Sequence, residues 1–388
     1  MIHQFAFPTE IHFGPGARKQ VADHLRAKGV SRPLIVTDRG LATLPAFADF
    51  AGDLKVLDSA VFCGVAGNPT ASQAMAGADA FKAHRADAVV GIGGGAALDV
   101  AKAVALLAHH PGSVLEYAWD HPNVRPIDRE IPYFVALPTT AGTGSEVGRS
   151  SVISEDVTHV KRIIFSPKLL ARAVFADPEL TLALPTLMTA ATGMDALTHN
   201  VESYLSPAYH PLCDGIALEG VRIAAAALPK AVHDGRDLSA RGDMMMSSMM
   251  GAIAFQKDLG AVHSCAHALS TVADLHHGLA NGIMIDHVMR FNLSAATAKL
   301  AELARVAHAP RGESGTESAR AEAFVAWLAK LKADIGIPAR LSDYCSTRPV
   351  VKADIAALVD IAIDDTCHKT NPRPVSRDDF RRIFAGAM

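Results

Sequence analysis

The run Asp87-Ala-Val-Val-Gly-Ile-Gly-Gly-Gly-Ala-Ala-Leu-Asp-Val-Ala-Lys102 narrows the possible folds more than any other part of the chain. Its first half is an apolar stretch of strand length without polar alternation, the mark of a strand covered on both faces. Three consecutive glycines, Gly93 to Gly95, come next, and then a strongly helical sequence running to about Ala108. A buried strand that turns through glycines into a helix is half of a parallel βαβ unit. Further strands are expected at Arg32 to Asp38, within Lys55 to Val65 and at Ile131 to Ala136. Helices are expected from Ala17 to Lys28, stopped by Gly29, and from Thr70 to Arg85, with Pro69 near the start. Two small strands, Phe5 to Phe7 and Ile11 to Phe13, open the chain and are separated by Pro8.

After Asp177-Pro178 the character changes. From Pro185 onward the sequence is rich in Ala, Leu and Met at helical spacing, with breaks expected near Pro207, Pro211, Pro229, Gly242, Gly260 and Pro310. The expected organisation is therefore an α/β domain with a mostly parallel sheet over residues 1–184 and an all-α domain over residues 185–388. A chain of 388 residues is long enough for two such cores, and 49% hydrophobic with 20% charged residues suits a folded globular protein.

Composition also removes several classes of function. A net charge of −3 gives no basic field for nucleic acid or anionic lipid. The five cysteines (Cys63, Cys213, Cys265, Cys345, Cys367) are scattered and contain no Cys-x-x-Cys pair, which argues against a disulfide framework and a sulfur-bound zinc. No basic segment followed by an apolar run opens the chain, and no apolar stretch approaches the roughly 20 residues of a membrane span. A cytoplasmic protein that does not engage membranes is expected.

Three constellations carry chemistry. The turn at Gly91, Gly93, Gly94 and Gly95 can bring backbone N–H groups and a helix N-terminus close to a phosphate, or can simply be a tight strand-to-helix turn. It fits the G-x-G-x-x-A fingerprint loosely, because no convincing acidic residue lies about 20 positions on. Thr139-Thr-Ala-Gly-Thr-Gly-Ser145 is a second loop of small hydroxylated residues after a strand, suited to diphosphate or ribose contacts or to plain helix capping. Both loops leave strand ends, so both can face one crevice. Third, Asp195 and His199 stand four apart, as do His263 and His267, with His277 closing the run. On helices that spacing puts each pair on one face, and an aspartate with several imidazoles makes a divalent-metal site of N/O type. The methionine run Met244 to Met250 reads as helix packing, while Lys102 and Lys161 can be phosphate contacts or surface lysines. His84, His109, His110 and His233 read as solvated.

With these stretches assembled, the sequence resembles the iron-containing (group III) alcohol dehydrogenase family. The resemblance lies in Gly93 to Lys102, Pro138-Thr-Thr-Ala-Gly-Thr-Gly-Ser-Glu-Val147, Gly193-Met-Asp-Ala-Leu-Thr-His199, Leu259 to His267 running on to His277-Gly-Leu-Ala-Asn281, and Thr370-Asn-Pro-Arg373. Order and spacing match over nearly the whole chain. The resemblance implies an N-terminal dinucleotide-binding domain, a helical C-terminal domain and an active site in the cleft between them. It implies Asp195, His199, His263 and His277 as ligands of Fe(II), alternatively Zn(II), and His267 as a proton relay beside the nicotinamide. It also implies cofactor contacts at Gly94, Gly95, Ala96, Asp99, Thr139, Thr140, Thr143, Ser145 and Lys161. Asp38 falls on the carboxylate that binds the adenosine ribose, which favours NAD over NADP. The reaction implied is reversible hydride transfer between a primary alcohol or hydroxy compound and NAD, on a small-molecule alcohol or aldehyde, commonly in a homodimer.

The sequence departs from the family pattern at Ala96, where many members carry serine, and at Ala171, which replaces a usual proline. Arg149, beyond the Thr/Gly loop, can recruit an anionic substrate or be a surface arginine. The competing readings are a metal-dependent lyase of the dehydroquinate-synthase type and a non-catalytic NAD-binding protein. The first needs several basic residues around the pocket for a phosphorylated substrate, and the helical half offers few beside the ligand candidates.

Overall fold

The computed structural model describes residues 5–7, 9–344 and 348–388, so the expected break at Pro8 and the cysteine Cys345 lie outside the described residues. Strands among the described residues are β1 (Glu10–Phe13), β2 (Pro33–Asp38), β3 (Ala60–Val65), β4 (Ala88–Gly93), β5 (Tyr133–Pro138), β6 (Ser150–Ser154), β7 (Lys161–Phe165) and β8 (Ala173–Ala176). Six of them form one parallel sheet in the order β1-β8-β5-β4-β2-β3, and β6 and β7 form a separate antiparallel hairpin. The helices of this half are α1 (Val21–Ala27), α2 (Pro45–Asp53), α3 (Ala71–His84) and α4 (Gly95–His109).

The central strand β4 is buried along its whole length, as its unbroken apolar sequence requires. Alternate residues feed two cores. Ile35, Val90, Ile92, Val135 and Phe175 pack with Leu25, Phe47 and Phe50 of α1 and α2 on one face. Leu34, Val36, Val89, Phe134 and Val174 pack with α3 and α4 on the other, in a core that continues into the C-terminal helices. Gly93 and Pro138 are partners in the β4–β5 register, so the glycine turn and the Thr/Gly loop leave adjacent strand ends.

The second half is helical: α5 (Thr186–Leu205), α6 (Pro211–His233), α7 (Leu238–Ala254), α8 (Ala261–Ala273), α9 (His277–Asn292), α10 (Thr297–Val306), α11 (Glu317–Asp334), α12 (Ile355–Asp364) and α13 (Arg377–Gly386). A parallel-sheet N-terminal domain thus precedes a helical C-terminal domain, as expected. No helix among the described residues is long and apolar enough to cross a membrane.

Several local expectations need correction. Phe5 to Phe7 is not a strand, and Lys55 lies in a short 3-10 turn ahead of β3. The N-cap of α3 is Thr70, which forms a reciprocal capping box with Gln73 one residue after Pro69. Pro229 and Gly242 do not break helices but lie inside α6 and α7. The flanking residues Leu228, Ala231 and Val232 are buried, and that packing outweighs the roughly 3 kcal/mol a mid-helix proline costs. Gly242 lies where α7 runs against Phe13 and Pro178, and in a helix it costs only about 1 kcal/mol. Helix α2, strand β8 and the β6–β7 hairpin were not anticipated. Among the residues given no role, His110 is buried and bonded to the Leu106 carbonyl and the Arg129 N–H, so the solvated reading fails there. Met244, Met245 and Met249 are buried in α7, in keeping with packing.

Candidate active site

Helix α5 lies deep in the helical domain, and nearly every residue from Thr189 to Leu205 is buried. That forces the polar groups on its inward face to find partners. Asp195 and His199 project from this face one turn apart, His263 comes from the first turn of α8, and His277 opens α9. Asp195 Oδ1 lies 4.0 Å from His199 Nε2, 3.9 Å from His263 Nε2 and 3.5 Å from His277 Nε2. Donor atoms of Asp195, His263 and His277 all lie within 4.8 Å of one another, and the His199 ring stacks on His263 at 4.6 Å. These separations are too long for hydrogen bonds and slightly wider than the roughly 3.4 Å between two ligands held at about 2.1 Å around one tetrahedral ion.

The electrostatics suit that donor set. Burial pushes the His199 imidazole down to about 4, against the pull of Asp195. Burial also drives His277 well below the usual histidine value, helped by Lys161 and the neighbouring imidazoles. Both rings are therefore neutral near pH 7, the state a metal ligand needs. Asn281, one turn into α9, donates to Asp195 Oδ1 at 2.7 Å and lies 3.2 Å from His277 Nε2 and 3.4 Å from His263 Nε2. Its Oδ1 and His277 Nδ1 are buried without hydrogen-bond partners among the described residues. One carboxylate, three imidazoles and polar atoms with unused bonding capacity fit a divalent cation.

Two carboxylates that the sequence did not single out hold this arrangement. Glu202, 2% exposed, accepts from the N–H groups of Gly260, Val262 and His263 at 3.0, 2.7 and 3.4 Å, and lies 2.6 Å from His263 Nδ1. It caps α8 and fixes His263 with Nε2 free to face Asp195, as carboxylates behind metal-binding histidines do. The signal was present: Glu202 follows His199 by three and Asp195 by seven, on the same helical face. Asp365, just past α12, lies 2.8 Å from His267 Nδ1. Burial alone would raise its pKa, but His267, Ser264 and the Cys367 N–H hold it well below the usual carboxylate range. The tail Thr370-Asn-Pro-Arg373 ties this segment to the start of α8, through Thr370 Oγ1 to the Leu259 carbonyl at 2.8 Å and Asn371 Oδ1 to the Ala261 N–H at 3.3 Å.

The glycine turn belongs to the sheet half, at the end of β4. Gly93 has φ +151°, and a Cβ there would meet Ala97 at 2.5 Å and Asp38 Oδ2 at 3.3 Å, so Asp38 stands directly beside the turn. The other carboxylate oxygen of Asp38 accepts from the Leu41 N–H at 2.8 Å. A Cβ at Gly94 would lie 3.3 Å from Thr140, and one at Gly95 only 2.7 Å from Thr143, so the two loops are in contact. The Thr139 N–H donates to the Gly93 carbonyl at 3.0 Å. No side chain caps α4, which carries Ala96 in its first turn, so the first N–H groups of the helix have no side-chain cap to satisfy them.

Asp99 and Ser145 are engaged within the protein. Ser145 Oγ donates to Asp99 Oδ1 at 2.6 Å and accepts from Lys102 Nζ at 2.8 Å, while Asp99 Oδ2 accepts from the Val152 N–H at 3.1 Å. Lys102, fully buried, also donates to the Ser150 carbonyl, so it is no surface lysine. Together these bonds bind α4, the Thr/Gly loop and β6 into one block. Lys161, at the start of β7, lies within electrostatic reach of carboxylates from both halves. Burial lowers its pKa, while Asp195, Asp365 and Asp99 act in the opposite direction. Arg149 lies at the opposite end of the hairpin from Lys161, its guanidinium 5.3 Å over Phe165.

Comparison with known proteins points the same way over the whole chain. A family described as iron-containing alcohol dehydrogenase matches residues 8–178, and its C-terminal counterpart matches residues 189–388. The chain is 37% identical to a 4-hydroxybutyrate dehydrogenase from Cupriavidus necator, over 98% of each chain. It is 36% identical to a 1,3-propanediol dehydrogenase from Citrobacter freundii, over 99% of this chain and 98% of the other. A crystal structure of 1,3-propanediol oxidoreductase superposes with a TM-score of 0.94 at 34% identity, covering all of both chains. Sulfoacetaldehyde reductase from Bifidobacterium kashiwanohense in complex with NAD+ superposes with a TM-score of 0.87 at 28% identity, over 100% of this chain and 99% of that one. Two family matches that together run nearly end to end, and relatives well above 30% identity over their full length, place this chain in the iron-containing alcohol dehydrogenase family.

Proposed function

We propose that the protein is an NAD-linked, metal-dependent alcohol dehydrogenase that interconverts a primary alcohol or related hydroxy compound with its aldehyde. The observation that carries this is the convergence of three imidazole nitrogens on Asp195 Oδ1, next to a lysine that also feels Asp99 behind the glycine turn. Residues 1–184 would supply the cofactor loops and residues 185–388 the metal donors. A divalent ion held by Asp195, His199, His263 and His277 would supply Lewis-acid polarisation of the hydroxyl oxygen, and a bound nicotinamide would supply the hydride acceptor.

The chain's own residues do the positioning. Gly94 and Gly95, packed closely against Thr140 and Thr143, would offer backbone N–H groups at the start of α4 to a diphosphate, and Asp38 beside Gly93 would accept from ribose hydroxyls and repel a 2′-phosphate. His267, a fifth exposed and with its ring 5.3 Å from that of His277, receives the hydroxyl proton in oxidation and returns it in reduction. The four described cysteines are free thiols, which suits a reducing compartment such as the cytoplasm. A homodimer is proposed from the family resemblance alone.

An assay of alcohols and aldehydes with NAD and NADP, on protein of measured metal content, tests this reading. Turnover with NAD is expected, to be lost on chelation and restored by Fe(II) or Zn(II). Full turnover by metal-free protein would remove the ion's role, and equal use of NADP would remove that of Asp38.

A further inference from the structure

We propose that Asp365 is a positioning residue that decides which nitrogen of His267 carries the proton, and so keeps His267 Nε2 available as the proton acceptor. The inference deepens the dehydrogenase reading and rests on it.

His267 Nδ1 lies 2.8 Å from Asp365 Oδ2. The other carboxylate oxygen, Oδ1, accepts from Ser264 Oγ at 2.7 Å and from the Cys367 N–H at 2.9 Å. A carboxylate that already receives two donors on one oxygen is held ionised, and an ionised oxygen can only accept. In the neutral imidazole the proton between Oδ2 and the ring therefore belongs to Nδ1, and Nε2 keeps its lone pair. The ring centroids of His277 and His263 lie 5.3 and 6.2 Å from that of His267, so the free nitrogen sits beside the donor cluster. Asp365, His267 and Cys367 approach one another closely enough to hold an ion themselves. Both oxygens of Asp365 are already engaged with three donors, and the hydrogen-bonded reading accounts for the geometry without one.

The donors on Oδ1 make the proposal testable, because they fix how an asparagine would sit. The Cys367 backbone N–H cannot become an acceptor, so in Asp365→Asn the amide oxygen must take the Oδ1 position. The NH2 then faces His267 Nδ1, which has to accept, and the proton moves to Nε2. Alanine leaves Nδ1 unpaired and either tautomer accessible. If Asp365 mattered only for packing and for holding the Cys367 segment, the near-isosteric asparagine would be the milder change.

The experiment compares kcat for alcohol oxidation in wild type, Asp365→Ala and Asp365→Asn, with metal content and NAD affinity measured on each. The expected order is wild type, then Asp365→Ala, then Asp365→Asn, the last reduced on the order of a hundredfold or more, with metal content and NAD affinity retained. An Asp365→Asn enzyme as active as Asp365→Ala or better overturns the proposal, as does a loss of activity that follows a loss of metal. An active wild type with the reversed order sinks only the role of Asp365, whereas a wild type inactive on every alcohol and aldehyde sinks the dehydrogenase reading beneath it.

Discussion

Glu146 follows Ser145 in the Thr/Gly loop, is 1% exposed, and has an Oε1 with no hydrogen-bond partner among the described residues. Burial pushes its carboxyl up to about 7, while its own backbone N–H and the Lys102 ammonium pull the other way. The unfolded chain releases this proton near the ordinary glutamate value, so between about pH 4.5 and 7 the folded state holds a proton the unfolded state lacks. Stability attributable to Glu146 must then fall as pH rises through that window, by roughly 3 kcal/mol once the folded carboxyl has also ionised. Glu146→Gln has no such loss. Urea unfolding at pH 5, 6, 7 and 8 should show the variant gaining on wild type as pH rises, with the difference levelling off above pH 7, and a constant difference would refute the shift. The same contrast marks what was readable at this scale. Asp195 with His199 and His263 with His267 stood out because helical spacing puts such pairs on shared faces, whereas His277 as a ligand candidate came from the family resemblance. Asp365 and Asn281 did not stand out, because their importance lies in bonds to residues 98 and 86 positions away, while Glu202 shares the helical face of Asp195 and His199 but its partner His263 lies 61 positions on.

Among the elements, the loop from Thr139 to Ser145 joins the two halves of the molecule. A Cβ at Gly142 would meet Thr192 of α5 at 2.9 Å, and one at Gly144 would meet Ala252 at 2.2 Å and the Ser248 carbonyl at 2.8 Å, both on α7. Gly144 also has φ +60°, which disfavours a side chain independently of space. The loop is therefore seated on the helical domain by backbone-level contact, and its other face touches the glycine turn. Gly144→Ala must lift the loop off α7. A loss of about 1–3 kcal/mol in stability is expected, together with a severalfold weaker NAD affinity and unchanged metal content. Unaltered NAD binding in that variant would show that the seating does not shape the cofactor wall. The strand–glycine–helix unit at residues 88–109 was legible in sequence because its local preferences and its tertiary role agree. The β6–β7 hairpin and β8 were not. They are short strands of four or five residues, and their pairing depends on partners that no local pattern names. Pro229 and Gly242 misled for the opposite reason, since strong local breaking signals were overruled by burial.

At the scale of the whole molecule the two halves share a core, because the apolar face formed by α3 and α4 runs on into α5, α8 and α9. The division of the chain into α/β and helical parts was legible from composition, but this continuity was not, since it depends on how the faces meet. The four proposed ligands are distributed over α5, α8 and α9, so an ion bound to them would tie the consecutive helices α8 and α9 to α5, more than 50 residues earlier in the chain. Ligands that bind only the folded state stabilise it by mass action, by about 2.7 kcal/mol at a hundredfold excess over Kd. Removing the ion should therefore lower the melting temperature on the order of 5 °C. Restoring Fe(II) or Zn(II) should reverse the shift. NAD contacts are proposed on loops anchored in the sheet, so NAD should still raise the melting temperature of the chelated protein, by an increment close to that seen with metal present. Calorimetry on the four states, with and without metal and with and without NAD, separates the contributions. A melting temperature indifferent to verified metal loss would mean that the donor cluster does not hold the ion. An NAD increment that vanishes with the metal would mean that the cofactor wall is not independently formed.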